Sequence, residues 1–203
     1  MTDPPPLPLG LAWQPARPRV LVVACSDGRL QEATDHFLAR HLGVTDYDRL
    51  YVPGGGGALS ASGRDFMRAH QLQGECRFLV ESHAIESLVL LFHGPAPDGP
   101  DEAMCVDYRR KLSWASVARL REQQERDALE LLDSRWQWAG TARVLVFRCE
   151  VGAGGGLAFV SLHADAAADA RRPRDARERN DTLDAHAPRQ ERRPLAPGRN
   201  ARE

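Results

Sequence analysis

Val20-Leu21-Val22-Val23-Ala24-Cys25-Ser26-Asp27-Gly28-Arg29 runs from an unbroken apolar stretch straight into small and charged residues. An apolar run without alternation is the pattern of a strand buried on both faces, as in a parallel sheet covered by helices. Helical spacing follows at Leu30, Ala33, Phe37, Leu38 and His41, with Gly43 as the stop. Leu50-Tyr51-Val52 reads as a second short strand, ended by Pro53 and the glycines 54–57. Residues of about 60–85 read as helical, in two pieces broken near Gly74. Ser87–Phe92 reads as a strand stopped by His93-Gly94-Pro95. A loop rich in Pro, Gly and Asp (94–103) leads to a long helix over about 113–136, apolar along Trp114, Val117, Leu120, Ala128, Leu131 and Leu132. Leu145, Phe147, Cys149 and Val151 then alternate with Val144, Val146, Arg148 and Glu150. Residues 152–156 make a turn and 157–162 return. Strands separated by helices predict an α/β fold: a mainly parallel sheet with flanking helices and an antiparallel hairpin at one edge.

The chain has 203 residues, with 27 Lys+Arg against 28 Asp+Glu and a net charge of −1. A balance this even gives no field to gather nucleic acid or an anionic membrane, so neither is expected as a partner. No run approaches the roughly 18 apolar residues of a membrane span. The first residues also lack the basic n-region of an export signal, so a cytoplasmic location is expected. Cys25, Cys76, Cys105 and Cys149 then read as thiols or metal ligands rather than disulfides. Residues 1–18 are proline-rich and read as a disordered arm. Residues 164–203 hold ten Arg and eight acidic residues but only Leu183 and Leu195 as large aliphatics, which reads as a disordered mixed-charge tail that could engage a protein partner. The folded body is 19–163.

Ligands of open α/β sheets bind beyond the carboxyl ends of the strands. Cys25 follows the first strand and His93 ends the third, so a thiolate and an imidazole fall on one sheet edge, and these are groups Zn²⁺ prefers. Taken singly, such a Cys is usually a small core residue and such a His usually bonds locally. Asp27 and Arg29 allow two readings. Asp27 either caps the next helix or is a carboxylate oriented by its arginine beside a metal site. Gln31 stands where a phosphatase loop would have its arginine, which removes that alternative. The glycines 54–57 lack the Lys-Ser/Thr of a phosphate-binding loop and read instead as close backbone approach. Cys149, on an apolar face, and Cys76 read as structural, and His83 as a weak candidate for a supporting role.

With these motifs in place, residues 19–163 resemble the β-carbonic anhydrases. Cys25-x-Asp27-x-Arg29 matches that family's Cys-x-Asp-x-Arg motif. His83-Ala-Ile-Glu86 and the apolar strand that closes on His93 resemble its helix, strand and zinc-binding His. The family's second Cys lies three residues after the His, where this chain has Ala96. The next cysteine is Cys105, beyond a loop carrying Pro95, Pro97 and Pro100. The resemblance implies a zinc enzyme (a lyase) that hydrates CO₂ reversibly to bicarbonate. Cys25, His93 and Cys105 would be the metal ligands, with Asp27 and Arg29 the catalytic pair that orients water. Three protein ligands leave a fourth position, and zinc lowers the pKa of water from about 15.7 to near 7. A homodimer or larger homo-oligomer is also implied, as is a closed state in which Asp27 takes the fourth position. Ala96 keeps open another reading, a non-catalytic relative that serves as a binding or assembly module. A further substrate such as CS₂ is a third.

Overall fold

The structure, a computed structural model, describes residue 10, residues 12–62 and residues 66–162. The tail reading over 164–203 and most of the arm reading over 1–18 lie outside them. Five strands form one sheet: β1 (Val20–Cys25), β2 (Asp48–Val52), β3 (Ser87–Pro95), β4 (Arg143–Val151) and β5 (Leu157–Ser161), in the order β2-β1-β3-β4-β5. β1 is parallel to both β2 and β3, β3 is parallel to β4, and β5 turns back antiparallel on β4. The mainly parallel sheet with flanking helices and an edge hairpin is therefore as the sequence pattern predicts.

Alternation along the central strands feeds two cores. Leu21, Val23, Leu88, Leu90, Phe92 and Val146 pack on one face against Cys76 of α2 (Phe66–His83), Tyr108 of α3 (Val106–Lys111) and Leu120, Ala128 and Leu131 of α4 (Val117–Asp133). Val22, Ala24, Val89, Leu91 and Phe147 pack on the other against Phe37 of α1 (Gln31–Phe37) and Leu38 just beyond it. Phe159 of β5 stacks on Phe37 with ring centroids 4.0 Å apart. Gly43 closes the α1 region in the left-handed conformation, φ 65°. Cys76 and Cys149 are buried core residues. Among the described residues no helix is long and apolar enough to cross a membrane.

Three elements differ from the pattern reading. α2 runs unbroken through Gly74, because a mid-helix glycine costs only about 1 kcal/mol and Ala69 and Cys76 anchor the helix on either side. β3 continues to Pro95, since β4 offers ladder partners along the whole stretch, including Cys149 opposite His93. The long helix begins at Val117, capped by the Ser116 hydroxyl, which accepts from the Arg119 N–H. Trp114 lies before it and is exposed, and α3 is a separate short helix ahead of it.

Candidate metal centre

β1 and β3 are neighbours and parallel, so Cys25 and His93 emerge side by side at the carboxyl edge. The chain leaves β3 by a detour of its own. The Ala96 N–H bonds the Val151 carbonyl at 2.9 Å, the Gly99 N–H bonds the Ala96 carbonyl at 3.0 Å, and a single 3-10 turn spans Asp101–Ala103. Ala103 and Met104 are buried, and Cys105 then takes the N-cap of α3. One donor atom each from Cys25, His93 and Cys105 lies within 4.8 Å of the others. A tetrahedral zinc, at about 2.3 Å from sulfur and about 2.0 Å from nitrogen, sets its ligand atoms some 3.5–3.8 Å apart, so closing on one needs shifts of about an ångström at most. His93 Nε2 is buried without a hydrogen-bond partner, which leaves an imidazole nitrogen for an ion. Two thiols and an imidazole, free of disulfides, form a donor set suited to zinc.

The electrostatics of the two thiols are unequal. The Cys105 thiol beside it holds the Cys25 thiol well below its ordinary value, against the pull of burial and with help from the His93 ring and the Gly54 N–H. Cys105 moves the opposite way, raised by its bond to Cys25, by burial and by the Cys25 charge, while the backbone N–H groups of Tyr108 and Asp107 oppose the rise. The pair thus shares a proton, and backbone donors face both sulfurs. Those donors favour two thiolates once a cation displaces that proton.

Asp27 stands apart from this group of donors. Arg29 Nε reaches Asp27 Oδ1 at 2.9 Å, Arg29 Nη2 reaches Oδ2 at 2.6 Å, and the Arg29 backbone N–H caps Oδ1 at 3.1 Å. Both readings of Asp27 are therefore compatible with one geometry: it caps the turn Gly28–Leu30 and is gripped by its arginine. That grip lowers its pKa to about 2, burial opposing and the His93 ring adding a little. A hollow of about 590 Å³ beside α1 and β5 touches this region only through Arg29 and takes in none of the three donors. His83 bonds Asp48 at 2.6 Å, at the start of β2 and so at the opposite edge of the sheet.

The loop 54–57 makes the close backbone approach that its glycines suggest: a Cβ on Gly55 (φ 56°) would strike the Leu91 carbonyl oxygen and come within 2.7 Å of the Cys25 nitrogen. A Cβ on Gly57 would strike the Tyr108 hydroxyl. Several other residues around the site went unread in the sequence. Gln124, fully buried, donates to the His93 carbonyl at 2.9 Å. Asp107 is buried two residues after Cys105 and accepts from Arg68 at 3.3 Å and Arg110 at 3.1 Å, while Arg68 also reaches the Pro53 carbonyl at 2.6 Å. Asp127, fully buried on α4, accepts from Tyr108 at 2.6 Å and Gln123 at 2.6 Å. One signal was available: Leu120, Gln124, Asp127 and Leu131 follow helical spacing, so two polar residues stand in an apolar stripe.

No protein-family model matches the chain, and no curated protein matches it. Among solved structures, the chain is similar to the β-carbonic anhydrase CafA of Aspergillus fumigatus, at 19% identity over 80% of this chain and 81% of that one, TM-score 0.40. It is similar to a carbonic anhydrase from Glaciozyma antarctica at 18% identity over 76% and 86%, TM-score 0.40. A tetrameric β-carbonic anhydrase of Sordaria macrospora follows at 14% identity over 70% and 80%, TM-score 0.34. Similarity at this level decides nothing about chemistry, which rests on the chain's own residues.

Proposed function

We propose that this chain is a zinc-dependent enzyme that converts CO₂ and water reversibly to bicarbonate and a proton, with Cys25, His93 and Cys105 holding the metal. One observation carries the reading: two thiols and an imidazole from three separate segments converge within 4.8 Å, with a buried, unpartnered imidazole nitrogen among them. The convergence also supports this reading over the non-catalytic one, because Cys105 stands with Cys25 and His93 although position 96 is alanine.

Zinc held there would supply a hydroxide nucleophile at neutral pH. The chain's own residues do the rest. Gly54, Asp107 and Tyr108 turn backbone N–H groups to the sulfurs and favour their thiolate forms. Gln124 fixes the backbone that carries His93 by holding its carbonyl. Asp27, two residues past Cys25 and kept ionised by Arg29, would be the hydrogen-bond acceptor toward the metal's water and, with a pKa near 2, does not itself take the proton at neutral pH. It therefore orients, and the proton released on hydration leaves to solvent. Free thiols at all four cysteines fit a cytoplasmic location. A homodimer or larger homo-oligomer, as in the resembled family, completes the proposal.

The test is zinc per chain by elemental analysis together with stopped-flow CO₂ hydration, on the wild type and on Cys25→Ser, His93→Ala and Cys105→Ala. About one zinc per chain is expected in the wild type, with metal and hydration lost together in each variant. Full zinc affinity after Cys105→Ala would remove the third ligand. A zinc-replete wild type without hydration would leave a metal-binding module in place of the enzyme.

A further inference from the structure

Resting on the metal-site reading above, we infer that Lys111 and Asp127 form a buried brace that positions the two cysteine-bearing segments for the metal. Lys111 is the chain's only lysine and ends α3, the short helix that Cys105 begins. Its Nζ donates to the Gly57 carbonyl at 2.7 Å, lies 3.8 Å from Asp127 Oδ2, and sits 4.9 Å from the centre of the Tyr108 ring. Gly57 belongs to the loop whose other end, Gly54, turns its N–H to Cys25, and the Gly57 N–H bonds the Gly54 carbonyl at 3.1 Å. Lys111 thus ties the helix that presents Cys105 to the loop that supports Cys25.

Asp127 fixes the lysine from below. It is fully buried on α4 and also accepts from Tyr108, from Gln123 and from the Ser62 hydroxyl, the last at 2.8 Å. Desolvating both charges offsets most of their attraction, so the pair is weak evidence of a stabilising role. A role in specifying geometry fits its placement. In this chain the third donor comes from the far side of a proline-rich detour, whose end is seated by buried Ala103 and Met104, so what remains to be set is the register of α3 itself. The contacts of α3 on the glycine loop supply that register.

The first measurement uses the wild-type protein. Lys111 and the amino terminus are the only amines, so peptide mapping after limited acetylation reads Lys111 alone. If the brace and the metal are coupled, zinc loading slows acetylation of Lys111 by about fivefold or more, because coupling between sites is reciprocal. Equal rates with and without zinc overturn the brace. Zinc content measured on the same samples separates the two claims: a wild type that takes no zinc overturns the metal site and the brace with it.

The second measurement compares Lys111→Met, Lys111→Arg and Asp127→Asn by chelator-competition affinity for zinc and by the absorption bands of the cobalt(II)-loaded protein. Lys111→Met is expected to weaken zinc by about 10–100-fold, the usual cost of losing a supporting contact, and to alter the cobalt spectrum. Lys111→Arg recovers most of that loss. A lower melting temperature with zinc affinity and cobalt bands unchanged would show a merely structural role and overturn the inference. Should Lys111→Met fail to fold, the isosteric Asp127→Asn and the wild-type acetylation decide.

Discussion

Asp27 keeps its charge to a pH at which most aspartates are protonated, because a two-pronged arginine and a backbone N–H all point at its oxygens. The sign follows from that shift. A carboxyl with a folded pKa near 2 and an unfolded value of about 3.9 contributes stability above about pH 4, and loses it as the pH falls through 2. The contribution is small, since the Arg29 side chain is 66% exposed and solvent screens the pair. Carboxyl NMR is expected to give Asp27 a midpoint near 2; a midpoint near 4 would show that the pair does not hold in solution. Asp27→Asn is expected to keep about one zinc per chain and to lower turnover by about 10–100-fold, and normal turnover would remove Asp27 from the mechanism. At this scale the sequence was informative where position follows from a strand end, as for Cys25 and His93. It was silent where a role depends on a distant partner. Nothing near Lys111 announces Gly57, which lies 2.7 Å from it in space and far back along the chain.

The elements show the same division between local and tertiary causes. Gly74 and Gly55 look equally like helix breakers or turn formers in the sequence, yet their surroundings are opposite. No atom would come within 4 Å of a Cβ at Gly74, on the exposed side of α2, so Gly74→Ala is expected to stabilise the protein by about 0.5–1 kcal/mol through helix propensity. At Gly55 a Cβ would strike the backbone of both β1 and β3, in a left-handed conformation, so Gly55→Ala is expected to cost about 3 kcal/mol or more and to reduce zinc occupancy. Thermal melts of the two variants check both directions, and equal shifts would contradict the packing of the loop on the strands. Periodicity made the covered parallel sheet and the edge hairpin legible, because Leu21 and Val23 against Val22 and Ala24 can only satisfy a strand covered on both sides, whereas the strand order, with β1 between β2 and β3, depends on pairings that no periodicity encodes. It missed α3, a six-residue helix too short to show a period, and drew the α4 stripe through Trp114, which Ser116 leaves outside the helix. Gln124 and Asp127 were hidden by the expectation that an apolar stripe holds only apolar residues.

Over the whole molecule, the parallel pairing of β1 with β3 does what no single element could: it delivers two donors to one edge, and α3 brings a third across the glycine loop. Every buried apolar residue described falls between Leu21 and Cys149, so both cores and the site draw on one stretch of chain. Residues 164–203 have ten Arg, eight acidic residues and two leucines, a composition with almost no apolar surface to add to either core. Deleting 164–203 is therefore expected to move the melting temperature by no more than about 2 °C, the scale of half a kcal/mol in a domain this size. Metal provides the internal control. If the three donors hold zinc in the folded chain and not in the unfolded one, zinc in excess stabilises it by RT ln(1 + [Zn]/Kd), about 2.7 kcal/mol at a hundred times Kd. Full-length and shortened chains should thus show the same zinc-dependent rise in melting temperature and the same loss of it on adding a chelator. A shortened chain that melts more than about 5 °C lower, or that no longer responds to zinc, would place part of the core or of the metal site beyond residue 163.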